Sequence, residues 1–179
     1  MAKNLSEQIR ELLKVSGRGI AEDIKSELRL QGHVNTGELI KSVQSGVINK
    51  TDGADLEIEM NDYHVFVEHG VKAGRIPFGG RSKAGRGGVS KYIQGLINYF
   101  ISKGKSKEEA KRAAFATAHK HKDEGMPTKN SYKYSKNGRR LEFINESTKS
   151  TKQIEQLETD ILDQVDFEAQ KILNTWDLK

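Results

Sequence analysis

Five histidines, a pair of strand-borne glutamates and a glycine-rich basic segment are the residues with which this 179-residue chain could do chemistry. His64 and His69 stand five apart with Glu68 beside them, and His119-x-His121 cannot share one helix face. Neither spacing, nor the solitary His33, matches the two-turn pattern that holds zinc in a protease. Glu57 and Glu59 point the same way on an alternating strand, near Asp62, as an acid/base pair would. No second half of an active site lies near them, and the wet face of a hairpin accounts for them equally well. Serine, histidine and aspartate occur without a nucleophile elbow. With no cysteine there is no thiolate nucleophile, disulfide framework or cysteine zinc site. Gly79-Gly80-Arg81 and Gly85-Arg86-Gly87-Gly88 lack the Gly-Lys-Ser/Thr ending of a P-loop. These residues predict no enzyme, no metal and no cofactor.

What remains is binding. From Val71 to Lys107 there are nine basic residues and no acidic one, whereas from Glu155 to Asp177 seven acids face Lys171 alone. Such polarity suits an anionic partner or head-to-tail contact between copies of the chain. The loop from Lys72 to Ser90 offers Lys72, Arg75, Arg81, Lys83 and Arg86, with backbone N–H groups freed by glycine, as phosphate contacts require. An acidic protein surface would serve as well. Tyr63-His64-Val65-Phe66-Val67-Glu68-His69-Gly70-Val71 leads into this loop. Tyr63, Phe66 and Val67 are expected to be buried and to anchor it, as strand or short helix. A nucleic-acid-binding module is the competing reading, with Phe78 and Tyr92 the only aromatics near the basic residues for stacking.

The elements around these segments follow from periodicity. Net charge is +5, the apolar fraction 35% and the charged fraction 31%. That fits a single domain over 1–179 with a real core, an α+β part over 1–80 and a mainly helical part over 90–179. No signal-peptide core or membrane-length apolar run is present, which predicts a soluble protein made in the cytosol, with no membrane partner. Leu5, Ile9, Leu12, Leu13, Ile20, Ile24 and Leu28 predict a helix over about 6–30. Asn35 with Glu38 suggests an N-cap for a second helix over 36–45, burying Leu39, Ile40 and Val43. Strands over 47–50 and 56–60 flank a turn at 51–55. Tyr92 to Ile101 form a helical stripe, Gly104 stops it, and Ser106 with Glu109 is a capping box for an alanine-rich helix ending near Gly125. The two should be antiparallel neighbours. Asn137-Gly138 signals a hairpin between 132–134 and 140–143, although Leu141, Ile144 and Thr148 could also begin a helix. From about Ser150 an amphipathic helix runs to the end, expected to pack on the antiparallel pair or on a neighbouring subunit.

Two short patterns carry a resemblance. Thr36-Gly37-Glu38-Leu39-Ile40-Lys41-Ser42 fits Thr-Gly-x-Leu-x-x-Ser, and Tyr63 to Gly70 fits Tyr-x-x-Tyr/Phe-Val-Glu-x-Gly, with alternating strands between them and a loop carrying Pro77-Phe78 after. In this order they resemble the neck and tail-completion (head-tail joining) proteins of tailed bacteriophages, over about residues 5–80. Thr36, Gly37, Leu39 and Ser42 match the first element, and Tyr63, Phe66, Val67, Glu68 and Gly70 the second. Beyond Gly79 the chain departs from the pattern, because family members end soon after a small sheet and one helix. The resemblance implies an α+β fold, a small antiparallel curved sheet packed by the N-terminal helix, here with a central antiparallel helix pair and a long C-terminal helix. It further implies a virion protein without catalytic activity, forming a homo-oligomeric ring in the neck. Its partners would be portal, adaptor or tail-tube proteins, and DNA passing through the lumen.

Overall fold

The computed structural model describes residues 4–51, 53–78, 89–149 and 152–176. Their order is α1 (Leu5–Leu30), α2 (Glu38–Ser42), β1 (Gln44–Lys50), β2 (Gly53–Glu59), α3 (His64–His69), α4 (Lys91–Ser102), α5 (Lys107–Glu124), α6 (Phe143–Lys149) and α7 (Lys152–Trp176). Short 3-10 turns occupy Ala73–Arg75 and Lys129–Tyr134. The fold is α+β: mainly helical, with one two-stranded antiparallel sheet. The chain divides into two compact units. The first takes the segments up to Leu30, Thr36–His64 and from Glu142 onward; the second takes Gln31–Asn35 and Val65–Leu141.

In the first unit α1 is the central element. It buries Ser16, Gly17, Ile20, Ala21, Ile24 and Leu28, and it packs on β1, β2, α6 and α7. The sheet pairs Ser45 with Ile58 and Val47 with Leu56, four half-buried residues on one face, while Gln44, Gly46, Glu57 and Glu59 are exposed on the other. That alternation is what a two-stranded sheet with one wet face requires. Gly17 lets helix and sheet approach closely, since a Cβ there would run into Leu56 and lie 3.2 Å from the Ser45 Cβ. Phe143, fully buried, opens α6, and Leu39, Ile40 and Val43 complete the apolar core.

α7 runs antiparallel to α1. Gln164 Nε2 donates to Gln8 Oε1 at 2.6 Å, and Gln153 lies where a Cβ on Gly19 would sit. Eleven residues forward along α7 thus match eleven back along α1, one register throughout. The expectation names the antiparallel pair or a neighbouring subunit as the cover of the C-terminal helix; within its own unit the helix packs on α1, which that expectation does not include.

In the second unit α4 and α5 pack together through Ile93 and the row Ala110, Ala114 and Ala118, all three fully buried. Their four-residue spacing places them on one face, and methyl side chains let the helices close up. The capping box at Ser106 is present in both directions: Glu109 N–H donates to Ser106 Oγ, and Ser106 N–H donates to Glu109 Oε2 at 3.1 Å.

Two local expectations change. The second helix is only Glu38–Ser42, and its N-cap is Gly37 at φ 75°, not Asn35. Glycine takes that left-handed geometry without a Cβ penalty, so the entry to the helix is set by backbone and not by a side-chain cap. Asn137-Gly138 makes no hairpin: Gly138 is left-handed at φ 74° but Asn137 is not, so the turn lacks the two positive φ angles that match strand twist. Instead Arg139 N–H donates to Asn137 Oδ1 and Ser135 Oγ, both at 3.1 Å, and the flanking Lys129–Tyr134 is a 3-10 turn. The alternative reading of the same stretch, a helix beginning near Leu141, is the one realised in α6.

Candidate functional site

Tyr63–Val67, open between strand and short helix in the sequence, is helical from His64 onward. His64 N–H donates to the Asn61 carbonyl at 2.9 Å, turning the chain into α3, and Asn61 N–H donates to Ser42 Oγ at 3.0 Å. Ser42 Oγ in turn donates to the Leu39 carbonyl. The first motif is therefore structural in this chain: Gly37 sets the turn, Leu39 is buried, Ser42 ties the end of α2 to the residues after β2, and Thr36 Oγ accepts weakly from Glu38 N–H at 3.4 Å.

The second motif reverses an expectation. Tyr63 is 40% exposed and Phe66 63%, with Val65 exposed as well; Val67 is half-buried and Glu68 is the buried residue of α3. Tyr63 and Phe66 are not buried anchors. A single turn and a half of helix has one inward side, and here Glu68 and Val67 occupy it.

The anchoring is done by backbone in the second unit. Val71 and Met126 exchange two hydrogen bonds, N–H to carbonyl at 2.7 and 2.8 Å, as an isolated antiparallel bridge. Gly70 and Gly125 flank it at φ 70° and 87°. A side chain on Gly70 would collide with the Met126 carbonyl oxygen, and one on Gly125 would come 2.7 Å from the Val71 oxygen. This close approach explains glycine at position 70 better than any role in a binding loop.

After the bridge the chain stays on α5. The Ala73–Arg75 turn packs there, and Ile76 is buried. The Phe78 ring lies 4.6 Å from the His119 ring, with Lys122 Nζ 5.3 Å from its centroid. On the far side of the basic segment Ser90 caps α4, accepting from Ile93 N–H, and the Tyr92 hydroxyl meets His121 Nδ1 at 2.5 Å. Burial pushes Tyr92 up to about 12 and lowers His121, so both stay neutral at neutral pH. The two aromatics available for base stacking are thus engaged inside the chain. Lys72 and Arg75 are exposed beside this anchorage. Arg81, Lys83 and Arg86 lie outside the described residues.

The other candidates do not converge. Glu57 and Glu59 are exposed on the outer face of the sheet. The depression of about 140 Å³ on the inner side of the sheet is lined by Lys14, Arg18, Ser45, Gly46, Val47 and Leu56, without a carboxylate. Among the described residues no three histidine or carboxylate groups gather as metal ligands would, and no helix is long and apolar enough to cross a membrane. His33 is half-buried with Nε2 at 3.2 Å from the Arg140 carbonyl. Burial first, then the Arg140 charge, lowers its pKa to about 4, so Nε2 carries the proton of a neutral ring and donates. What sequence reasoning missed is the exposed, apolar outer side of α3. Its signal was the pairing of Tyr63 and Phe66 at helical spacing, with Glu68 at a position that a half-buried strand would expose.

Val65 and Phe66 are exposed ahead of the glycine-flanked Val71–Met126 bridge, and Lys72 and Arg75 are exposed after it; no protein-family model, curated protein or solved structure matches the chain.

Proposed function

We propose that this chain is a structural virion protein: a ring-forming neck or tail-completion subunit that joins the head or portal of a tailed phage to its tail and lines the DNA passage. The observation that carries the reading is the stretch 63–75, along which Tyr63, Val65, Phe66, Lys72 and Arg75 are all exposed. Exposed aromatic and cationic residues are the composition of a surface that another protein covers. The order of the two motifs supports the same reading from the sequence. In it, α3 and the start of the basic loop meet a neighbouring ring component, and Arg81, Lys83 and Arg86 face that component or DNA.

Native mass spectrometry and electron microscopy of the chain at micromolar concentration, alone and with portal and tail-tube components, test the proposal. Rings or stoichiometric complexes are expected; monomers under every condition would overturn it. A salt-sensitive shift of short duplex DNA, without self-assembly, would favour the nucleic-acid-binding module instead. The engagement of Phe78 and Tyr92 limits such binding to phosphate contacts.

A further inference from the structure

α7 has two long faces and α1 covers one of them. Gln153, Leu157, Ile161, Gln164 and Glu168 recur at intervals of three and four, and all are half-buried. A second row, about 100° further round the helix at 3.6 residues per turn, holds Ile154, Leu162, Val165, Ile172 and Leu173. These are 38%, 64%, 41%, 55% and 60% exposed. Glu158 lies within this row, and Glu155 and Asp166 along its outer edge.

The register sharpens the picture. Continuing it four places beyond Gln164 sets Glu168 opposite Asn4, and α1 begins at Leu5. The eight residues from Ala169 to Trp176, about 12 Å of helix, therefore have no part of α1 opposite them. From Ala169 to Asn174 every residue is exposed.

Charge decides what covers such a face. A second α7 would oppose like with like, each bringing seven acids against one lysine over 155–177. An anionic lipid surface is repelled for the same reason. The complementary surface lies on α4 and the turn that follows it: Lys91 opens the helix, Lys103 and Lys105 come just after its end, all three are exposed, and no acid lies between Lys91 and Lys105. It also presents apolar area at Tyr99, which is 36% exposed with Lys103 Nζ 5.5 Å from its ring.

The geometry points to a second copy of this chain as the occupant: the outer row of α7 docks on the Tyr99–Lys103 surface at the C-terminal end of α4 in the next molecule. Donor and acceptor are different surfaces, so each copy gives one contact and receives one, and the arrangement closes into a ring or extends as a filament. This rests on the ring reading above and names the subunit contact within it.

Charge exchange tests it. One variant carries Glu155→Lys, Glu158→Lys and Asp166→Lys; a second carries Lys91→Glu, Lys103→Glu and Lys105→Glu; a third carries all six. Assembly is measured by light scattering and native mass spectrometry at low ionic strength, with urea midpoints as a check on folding. Each triple variant is expected to weaken assembly ~10-fold or more, and the sixfold variant to restore it. Leu162→Ser with Leu173→Ser, which leaves the charges in place, should weaken assembly equally while keeping the urea midpoint. Assembly that ignores the α7 variants would overturn the docking proposal and leave the ring standing. Losses that add in the sixfold variant would place the α7 partner elsewhere. A wild-type chain that remains monomeric, alone and with portal and tail components, would remove ring and contact together.

Discussion

α1 and α7 are nearly equal in length, 26 and 25 residues, and both carry an apolar stripe at helical spacing. α1 buries six residues; no residue of α7 is buried among those whose side chains are described. The difference is not in the helices but in their neighbours. The sheet, α6 and α7 all pack on α1, whereas among the described residues the main packing partner of α7 is α1. Amphipathicity therefore states that a face wants cover, and says nothing about whether the cover comes from the same chain.

The comparison is open to direct attack. The largest effect is expected at Phe143, the fully buried side chain at the head of α6. Phe143→Ala should cost ~3–5 kcal/mol in urea unfolding, by lost burial and a residual cavity; a loss below ~1 kcal/mol would mean that the enclosure of α1 is loose. Gly17→Ala tests the helix–sheet approach. Its Cβ meets Leu56, so overpacking of ~1–3 kcal/mol should outweigh the ~0.5–1 kcal/mol that alanine gains over glycine in a helix. A stabilised Gly17→Ala would show that Leu56 swings away freely.

The third test asks whether enclosure continues past the end of α1. His33 has a folded pKa of about 4, below the usual histidine value of ~6.5. Between those pH values the unfolded chain binds more protons than the folded one, so stability is full above ~6.5, falls as pH drops toward 4 and levels off below. His33→Gln should flatten that slope in urea midpoints measured against pH. An unchanged slope would assign it to other groups, His121 first, because burial depresses it in the same direction. The smallest effect is expected on the outer row of α7. Leu162→Ser should shift the midpoint of dilute, unassembled protein by no more than ~0.5 kcal/mol, and a loss above ~2 kcal/mol would erase the contrast between the helices.

Much of the fold was legible in the residues. The stripes of α1 and α4, the alanine row and capping box of α5, and the hairpin all rest on periodicity or on a local hydrogen-bond pattern, which a sequence displays openly. The failures share a different cause. Tyr63–Val67 is too short for its period to decide between strand and helix, and which side faces water depended on the Asn61 and Ser42 hydrogen bonds. Asn137-Gly138 was a correct turn with the wrong handedness for a hairpin. The clasp between Val71 and Met126 joins backbones 55 positions apart, and only the glycines at 70 and 125 hinted at it. Lys72 and Arg75 are exposed, whereas Tyr63 and Phe66, expected to be buried anchors, are themselves on the surface.

The antiparallel pairing of α1 with α7 also sets a schedule. Gln8 and Gln164 are separated by 156 positions. At synthesis rates of about 5–20 residues per second, the first helix waits roughly 8–30 s on the ribosome before its last partner exists. The Val65–Leu141 stretch, by contrast, holds nearly all of the second unit and can close while the first is still unfinished. Vectorial synthesis thus leaves the apolar stripe of α1 as the longest-exposed surface of the nascent chain, the one on which aggregation and chaperone capture would compete with folding.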